Sequence, residues 1–363
     1  MSRWRRGACW SLVAVVGSGG PPELNIRASH HAPVTSHVSF PRPAVPRVTG
    51  RLVTTTFWSQ ALGARKQLVA WLPPSYDQSP ATRYPVAVYL HGLWGEETDW
   101  SRRGNIAQAL DALAASGTEM IVVMPDGDDS WYTTWNWLGD YAACRRDFAP
   151  REGRGDTVDS YCVPWPHYDD YIARDLVAFV DRTWRTDPRR ERRALAGLSM
   201  GGYGAVSIGM AYPDVFGAVV SHSGVLSPLY GGPADVSAVP RYATSVAELK
   251  AGWGDRMWPL IAPAFGQDTT AWWARDPARR VRNTWQRRRS LVPALYVDIG
   301  TDDGLLGQNR AFRHELQALG VPFTYREWPG KHDWAYWTAH VPESLQWIGE
   351  QTQVKRPGAS RGP

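Results

Sequence analysis

The sequence predicts an α/β protein in which one mainly parallel sheet carries helices on both faces. Residues 84–90 and 120–124 are continuous apolar runs, which is typical of strands buried on both sides. Between such runs lie segments of helical periodicity, for example residues 168–184, where Leu176 and Val180 share one apolar face. Strands that alternate with helices in this way form βαβ units with parallel strands.

The other elements follow in order along the chain. Residues 51–58 and 65–72 alternate between apolar and polar side chains and predict two antiparallel strands. The remaining predicted strands are residues 84–90, 120–124, 193–197, 216–220, 295–300 and 321–328. The predicted helices are residues 106–115, 168–184, 200–212, a segment through Phe312, Leu316 and Leu319, and residues 333–348. Ligands of such sheets bind at the carboxyl ends of the strands, so the residues that directly follow the strands are the candidates for a site.

Composition excludes several classes of protein. The chain has 363 residues, of which 43% are apolar and 21% charged, so it can bury a core and is not mostly disordered. The net charge is +5, and the basic residues are scattered apart from short runs such as residues 189–193 and 287–289. Those runs indicate a solvated surface, and we expect no nucleic-acid partner. No window reaches the roughly 18 apolar residues of a transmembrane helix, and we expect no transmembrane segment.

The chain divides into a folded domain with extensions at both ends. Residues 1–20 are expected to be a signal peptide, and residues 21–47, with six prolines, an extended linker. Residues 48–350 form the predicted domain, with an insertion at about 226–289 that is expected to act as a lid. Residues 351–363 are polar and are expected to be a disordered tail.

Two features favour export of the protein. Arg3, Arg5 and Arg6 precede a short apolar stretch at residues 8–16, which is typical of a signal peptide, although no A-x-A cleavage site follows. The low cysteine count is also compatible with an exported protein. We therefore expect a secreted or cell-envelope protein, with a cytoplasmic location as the alternative.

Cys144 and Cys162 lie 18 residues apart in one irregular segment. A disulfide between them is expected in an oxidising compartment, and two separate reduced thiols are the alternative. The sequence has no C-x-x-C motif and no His/Cys cluster, so we expect no metal site and no cofactor.

Gly197-Leu198-Ser199-Met200-Gly201 is a G-x-S-x-G motif between a predicted strand and a predicted helix. This is the context of a nucleophile elbow, in which a tight turn exposes the serine hydroxyl and requires small residues two positions before and after it. Ser199 is therefore the candidate nucleophile. The alternative is a glycine-rich turn in which the serine only caps the helix.

A serine nucleophile needs a base, and the base needs an acid that orients it. After such an elbow the acid comes next in the chain and the histidine last. Asp302 and Asp303 follow the strand at residues 295–300, and His332 follows the last strand, so these residues supply the candidate acid and base. His222 is a rival base, but it precedes both carboxylates.

Acyl transfer also needs two backbone donors for the developing oxyanion. The amide of Met200, directly after the nucleophile, is one candidate, and the amide of Leu93 in the loop after residues 84–90 is the other. His91 in the same loop is expected to brace the loop.

Tryptophans are concentrated near these segments, and the chain has 20 of them. Trp94, Trp131 and Trp334 are the candidates for contact with substrate, because each lies in a loop or beside a residue of the predicted site. The aromatic residues of residues 131–141 and 253–273 could wall the pocket, or they could form a small core of the lid itself.

These motifs together resemble the esterase D-like branch of the α/β-hydrolases. That branch includes S-formylglutathione hydrolases, feruloyl and acetyl-xylan esterases, and mycolyltransferases. The matching segments are Y-L-H-G-L-W-G (residues 89–95), M-P-D-G-D-D-S-W-Y (124–132), Y-D-D-Y-I-A-R-D-L (168–176), G-L-S-M-G-G-Y-G-A (197–205), G-T-D-D (300–303) and G-K-H-D-W (330–334).

The resemblance implies an α/β-hydrolase fold and a serine carboxylic-ester hydrolase with the triad Ser199, Asp303 and His332. It places the acid at Asp303, with Asp302 as the alternative, and supports Leu93 and Met200 as the oxyanion hole. Mycolyltransferases usually carry an acidic residue where His91 stands and a Glu as triad acid, so hydrolysis of a small-molecule or glycan-linked ester is favoured over acyl transfer to a sugar. An acyltransferase and a non-catalytic glycan-binding protein remain the alternatives.

Overall fold

Within the residues that the structure describes, eight strands form one sheet. The computed structural model describes residues 49–134, 141–149, 156–232, 239–266 and 268–353. The predicted signal peptide, the linker and most of the predicted tail lie outside these ranges. The strands are β1 (Arg51–Ser59), β2 (Ala64–Leu72), β3 (Val86–Leu90), β4 (Ile121–Pro125), β5 (Arg193–Leu198), β6 (Ala218–His222), β7 (Ala294–Gly300) and β8 (Thr324–Trp328).

The strand order is β1-β2-β4-β3-β5-β6-β7-β8. As predicted, β1 and β2 are antiparallel. Strand β2 is also antiparallel to β4, and all pairs from β4 to β8 are parallel. Every residue of β3, β4, β5 and β6 is buried, which explains why these strands are mostly apolar in sequence, apart from Arg193 in β5 and Ser221 and His222 in β6.

Helices cover both faces of this sheet. They are α1 (Asp99–Arg102), α2 (Ile106–Ala115), α3 (Tyr141–Asp147), α4 (Val158–Tyr161), α5 (Tyr168–Asp170), α6 (Val177–Thr183), α7 (Met200–Ala211), α8 (Val246–Phe265), α9 (Thr269–Ala274), α10 (Pro277–Arg287), α11 (Leu306–Leu319) and α12 (Trp334–Thr352). Helices α2 and α12 share one apolar core with one face of the sheet, and α7 lies in the core on the opposite face. The predicted α/β class with helices on both faces is confirmed.

The helix predicted over residues 168–184 contains a change of helical geometry. Its middle, Tyr171–Leu176, is a π-helix that joins α5 to α6. Within this segment Asp175 accepts hydrogen bonds from the Ser59 hydroxyl (2.7 Å) and the Ala61 amide (2.8 Å). The helix is thereby tied to the turn between β1 and β2.

The segment between β6 and β7, which the sequence predicts to act as a lid, holds α8, α9 and α10. Helix α8 is kinked at Gly254, which has a φ of 71° and a ψ of 166°, a conformation that favours glycine. Asp268 and Asp276 cap α9 and α10, each accepting a hydrogen bond from a backbone amide of the first turn.

The last helix ends later in the chain than the sequence predicted. Helix α12 continues through Thr352, which corrects the prediction that the tail begins at residue 351. The reason is burial, because Thr352 is 1% exposed and its hydroxyl donates to the Ile348 carbonyl at 2.8 Å. Within the described ranges, no helix is long and apolar enough to cross a membrane.

Candidate active site

Ser199 occupies a strained turn between β5 and α7. Its φ is 53°, in the left-handed region that a non-glycine residue seldom adopts. A Cβ atom at Gly197 would lie 2.4 Å from the Gly201 carbonyl oxygen, and one at Gly201 would lie 2.5 Å from the Leu90 and His91 carbonyl oxygens. Neither position can hold a side chain, which is the physical reason for the spacing of the G-x-S-x-G motif.

The structure brings the three residues of the predicted triad together. The Nε2 atom of His332 lies 2.9 Å from the Ser199 hydroxyl, and its Nδ1 atom lies 2.8 Å from Oδ2 of Asp303. Asp303 is 5% exposed, and its other oxygen accepts the Leu305 amide at 2.8 Å. The His332 ring packs edge-to-face on Trp337, with 5.1 Å between centroids. This arrangement can take a proton from Ser199 and stabilise the resulting imidazolium.

The two alternatives for acid and base lie elsewhere. Asp302 is exposed, and its backbone amide donates to the Gly330 carbonyl at 2.9 Å. His222 is fully buried, with Nδ1 at 2.7 Å from Asp298 and Nε2 at 2.9 Å from the Ser344 hydroxyl. The contact of His222 with Ser199 is made by its backbone, since its carbonyl accepts a hydrogen bond from the Ser199 amide at 2.9 Å.

The loop after β3 runs close to Ser199. A Cβ atom at Gly92 would lie 3.4 Å from the Cβ of Ser199 and 2.6 Å from Cδ1 of Leu198. Met200 is the first residue of α7, where backbone amides have no intrahelical acceptor. In the described part of the chain, neither the Leu93 amide nor the Met200 amide donates to another group. Both amides are therefore free to serve an oxyanion.

The His91 ring holds this loop through two hydrogen bonds. Its Nδ1 atom lies 2.8 Å from the Gly92 carbonyl oxygen, and its Nε2 atom accepts the Gly127 amide at 2.8 Å. The ring thus carries its proton on Nδ1 in this arrangement, and it is 1% exposed. Burial opposes protonation of His91, but the Asp126 carboxylate outweighs it and raises the pKa of the ring.

A cavity of about 1360 Å³ opens above Ser199. It is lined by the triad, by the loop after β3 and by residues of the lid. Trp94 and Trp334 both border it, and Trp94 exposes 44% of its surface. These two predicted contact residues therefore lie at the wall of the cavity that contains Ser199.

Trp131 is more deeply buried than Trp94 and Trp334. It borders the same cavity, but it is only 1% exposed, and its indole donates to the Leu260 carbonyl at 2.9 Å. Its ring packs edge-to-face against Tyr203, Trp253 and Phe265. Trp258 and Trp272 stack nearby at 5.7 Å. Most of these rings form a core under the lid, because large flat side chains bury more surface against each other than against an open cavity.

A buried charge cluster that the sequence analysis missed lies beside this site. The Lys66 ammonium is fully buried, 2.5 Å from Asp126 and 2.7 Å from Asp128, and it donates to the Ser160 carbonyl at 2.9 Å. The one available signal is periodicity, since Lys66 stands between Ala64 and Leu68 on the inward face of β2.

The surroundings shift the pKa values of Asp126 and Asp128 in opposite directions. Burial opposes ionisation of Asp126, but the Lys66 charge overrides it and holds the pKa of Asp126 far below its ordinary value. Burial, together with the charge on Asp126, raises the pKa of Asp128 to about 7. Asp126, Asp128 and Asp156 place one oxygen each within 4.8 Å of one another, as metal ligands would, but the Lys66 ammonium already contacts two of these carboxylates.

Cys144 and Cys162 form a disulfide, with 5.8 Å between their Cα atoms. It links α3 to the residue that follows α4.

Trp135 and Trp137, which belong to the aromatic segment at residues 131–141, lie outside the described residues.

Comparison with known proteins agrees with the fold. A serine in a tight turn between a parallel strand and a helix is typical of the α/β-hydrolase fold. The model of the Esterase family, described as "Putative esterase", matches residues 59–348. The chain belongs to this family, and it is a carboxylic ester hydrolase.

Curated relatives carry related names. An acetyl esterase of Caldicellulosiruptor saccharolyticus is 22% identical over 307 residues, which cover 82% of this chain and 98% of that protein. An esterase of Mycobacterium tuberculosis is 29% identical over 290 residues, or 78% of this chain, and the match spans only 56% of that relative. Among solved structures, a ferulic acid esterase superposes with a TM-score of 0.63 at 27% identity, covering 84% of this chain and all of the other.

Proposed function

We propose that the protein hydrolyses carboxylic esters through a Ser199–His332–Asp303 triad and an acyl-enzyme intermediate. The observation that carries this proposal is the continuous pair of hydrogen bonds from Ser199 to His332 (2.9 Å) and from His332 to Asp303 (2.8 Å). A serine hydroxyl is a weak nucleophile until such a base accepts its proton.

The chemistry proceeds in two halves. The Ser199 oxygen attacks the ester carbonyl carbon while its proton moves to Nε2 of His332, and the carbonyl oxygen becomes an oxyanion held by the Leu93 and Met200 amides. The carbon–oxygen bond to the alcohol then breaks, and the alcohol leaves with the proton from His332. Water next attacks the acyl carbon and gives a proton to His332. The bond between the acyl carbon and the Ser199 oxygen then breaks, His332 returns the proton to that oxygen, and the carboxylic acid leaves. Asp303 remains ionised and stabilises the imidazolium throughout.

The proposed substrates are small-molecule or glycan-linked esters. The cavity of about 1360 Å³ is large enough for an acyl group and an alcohol together, and Trp94 and Trp334 offer flat surfaces beside Ser199. The likeness to a ferulic acid esterase supports inclusion of aromatic acyl groups. A panel of acetyl, long-chain acyl, feruloyl and acetyl-xylan esters would rank these classes.

The triad proposal is tested with a purified Ser199→Ala variant and p-nitrophenyl acetate. Loss of the nucleophile is expected to lower kcat by about 10⁴-fold or more. Ser223→Ala is the matched control, because Ser223 is a neighbouring serine with a positive φ but lies outside the triad. Activity of Ser199→Ala at the wild-type rate would refute the mechanism.

We also propose that the protein works in an oxidising compartment. The Cys144–Cys162 disulfide supports this location, because such bonds persist outside the reducing cytosol. Mass spectrometry of the protein from its native cells tests the proposal, with an oxidised cysteine pair and a shortened N-terminus as the expected result. A reduced pair in a full-length, cytosolic chain would contradict it.

A further inference from the structure

Two arginine–tryptophan pairs line the cavity that contains Ser199. The Arg256 guanidinium lies over the Trp94 ring, 5.3 Å from its centroid, and the Arg103 guanidinium lies over the Trp334 ring at 5.0 Å. Trp94 directly follows Leu93, and Trp334 lies two residues after His332. The tryptophan of each pair is therefore close in sequence to a residue with a proposed catalytic role.

The arginines of the cavity differ in how their charge is neutralised. Arg103 lies 3.7 Å from the Asp99 carboxylate, and Arg241 lies 3.5 Å from Glu248. Among the residues that the structure describes, Arg256 has no carboxylate within 4.0 Å. Its charge is therefore available to a ligand, while Trp94 supports the guanidinium plane.

The remaining acidic residues of the cavity wall have partners at the triad end. Asp303 holds His332, and Asp333 caps α12 by accepting the Tyr336 amide at 3.0 Å. Arg256 instead belongs to helix α8 of the lid. An anionic group that reaches the lid side of the cavity would meet the arginine rather than these carboxylates.

Trp94 is held in a costly conformation at this place. Its φ is 61°, which is rare for a bulky residue, and its amide donates to Asp129 at 2.5 Å. Such strain persists at sites where it serves function, and here it accompanies a ring that is 44% exposed. The backbone thus keeps a large apolar surface at the cavity, in contact with Arg256.

We propose that this esterase selects substrates that carry a carboxylate in addition to the ester, and that Arg256 binds this carboxylate while Trp94 packs on the adjoining part of the substrate. Arg103 on Trp334 adds a second, partly neutralised positive group. This inference rests on the proposed function, because it assigns the substrate class of the same Ser199 site.

The test uses two matched pairs of esters. One pair is mono-p-nitrophenyl adipate and its methyl ester, which place charge or no charge on the acyl side with the same leaving group. The other is 3-(4-acetoxyphenyl)propanoate and the corresponding amide, which do so on the alcohol side. The wild-type enzyme is expected to favour the charged member of at least one pair by about fivefold in kcat/KM, and this preference should weaken at high salt.

Arg256→Met is expected to reduce the preference below about twofold, and Arg256→Glu to reverse it. Arg182→Met, which removes the same charge from α6 outside the cavity, should keep the wild-type ratio. If the wild type cleaves charged and neutral esters equally, or if Arg256→Glu keeps the preference, the inference is overturned while the proposed function stands. If no ester hydrolysis depends on Ser199, the proposed function itself fails.

Discussion

The Nδ1 atom of His332 lies 2.8 Å from Asp303, while the neighbouring Asp302 points its side chain to solvent. Two adjacent carboxylates in one turn thus have different surroundings. The Asp303 oxygens accept hydrogen bonds from His332 and from the Leu305 amide, and the residue is buried. Because only Asp303 contacts His332, replacing each carboxylate in turn distinguishes the two candidates for the triad acid.

Asp303→Asn is expected to lower kcat by about 10⁴-fold, because an amide cannot hold the required histidine tautomer or stabilise the imidazolium. Asp302→Asn makes the same chemical change one residue earlier and should stay within about twofold of the wild type, since exposed substitutions have small effects. Steady-state kinetics with p-nitrophenyl acetate compares the two variants. Equal losses in both would remove Asp303 from the triad.

Gly92→Ala tests the position of the loop after β3, which carries the Leu93 amide of the proposed oxyanion hole. The added methyl group would lie 2.6 Å from Leu198 and 3.4 Å from the Ser199 Cβ, so the loop must shift. A shift of about 1 Å in such a site can cost about 10²-fold in rate, and we expect a fall in kcat of that order. Gly304→Ala is the control, because a Cβ there meets nothing within 4 Å. Full activity of Gly92→Ala would show that the loop plays no part in catalysis.

Lys66→Met tests the buried charge cluster. Removal of the ammonium leaves Asp126 and Asp128 buried without their cation, and we expect a loss of about 3–5 kcal/mol in the free energy of unfolding. Lys250→Met, on the exposed side of α8, should change it by less than about 0.5 kcal/mol. Urea titrations followed by circular dichroism provide both values. A stable Lys66→Met protein would mean that the carboxylates share a proton instead.

Asp276→Asn tests a predicted dependence of stability on pH. Burial raises the pKa of Asp276 to about 7, well above the value in an unfolded chain. The folded state then binds the proton more tightly, so stability is lost as the pH rises from about 4 to about 7.

Asn keeps the cap on α10 and cannot ionise. The stability of Asp276→Asn relative to the wild type should therefore rise over this pH range, by roughly 2–4 kcal/mol. Thermal unfolding at several pH values measures it. A difference that stays constant with pH would show that Asp276 titrates normally.

Much of the fold could be predicted from local patterns. The buried strands β3 and β4 are continuously apolar because helices cover both faces of the sheet, and that pattern is visible without any structure. The geometry of Ser199 could be anticipated for a similar reason, since Gly197 and Gly201 record in the sequence the lack of space around the turn.

Other features depend on contacts between distant segments. Lys66 meets Asp126 and Asp128 only after β2 has paired with β4, and no local pattern shows that pairing. No local pattern shows the burial of Trp131 either, because it depends on Leu260 and Phe265, which lie more than 120 residues later in the chain. The pairing of Arg256 with Trp94 likewise brings the lid to the loop after β3.

The most direct test of the account is to trap the acyl group on the enzyme. The protein is acid-quenched during turnover of a slow ester, digested, and analysed by peptide mass spectrometry. The account predicts an acyl adduct on the peptide that contains Ser199, and no adduct in Ser199→Ala. Rapid turnover with the adduct on a different residue, or an unmodified Ser199 after reaction with a fluorophosphonate probe, would contradict it.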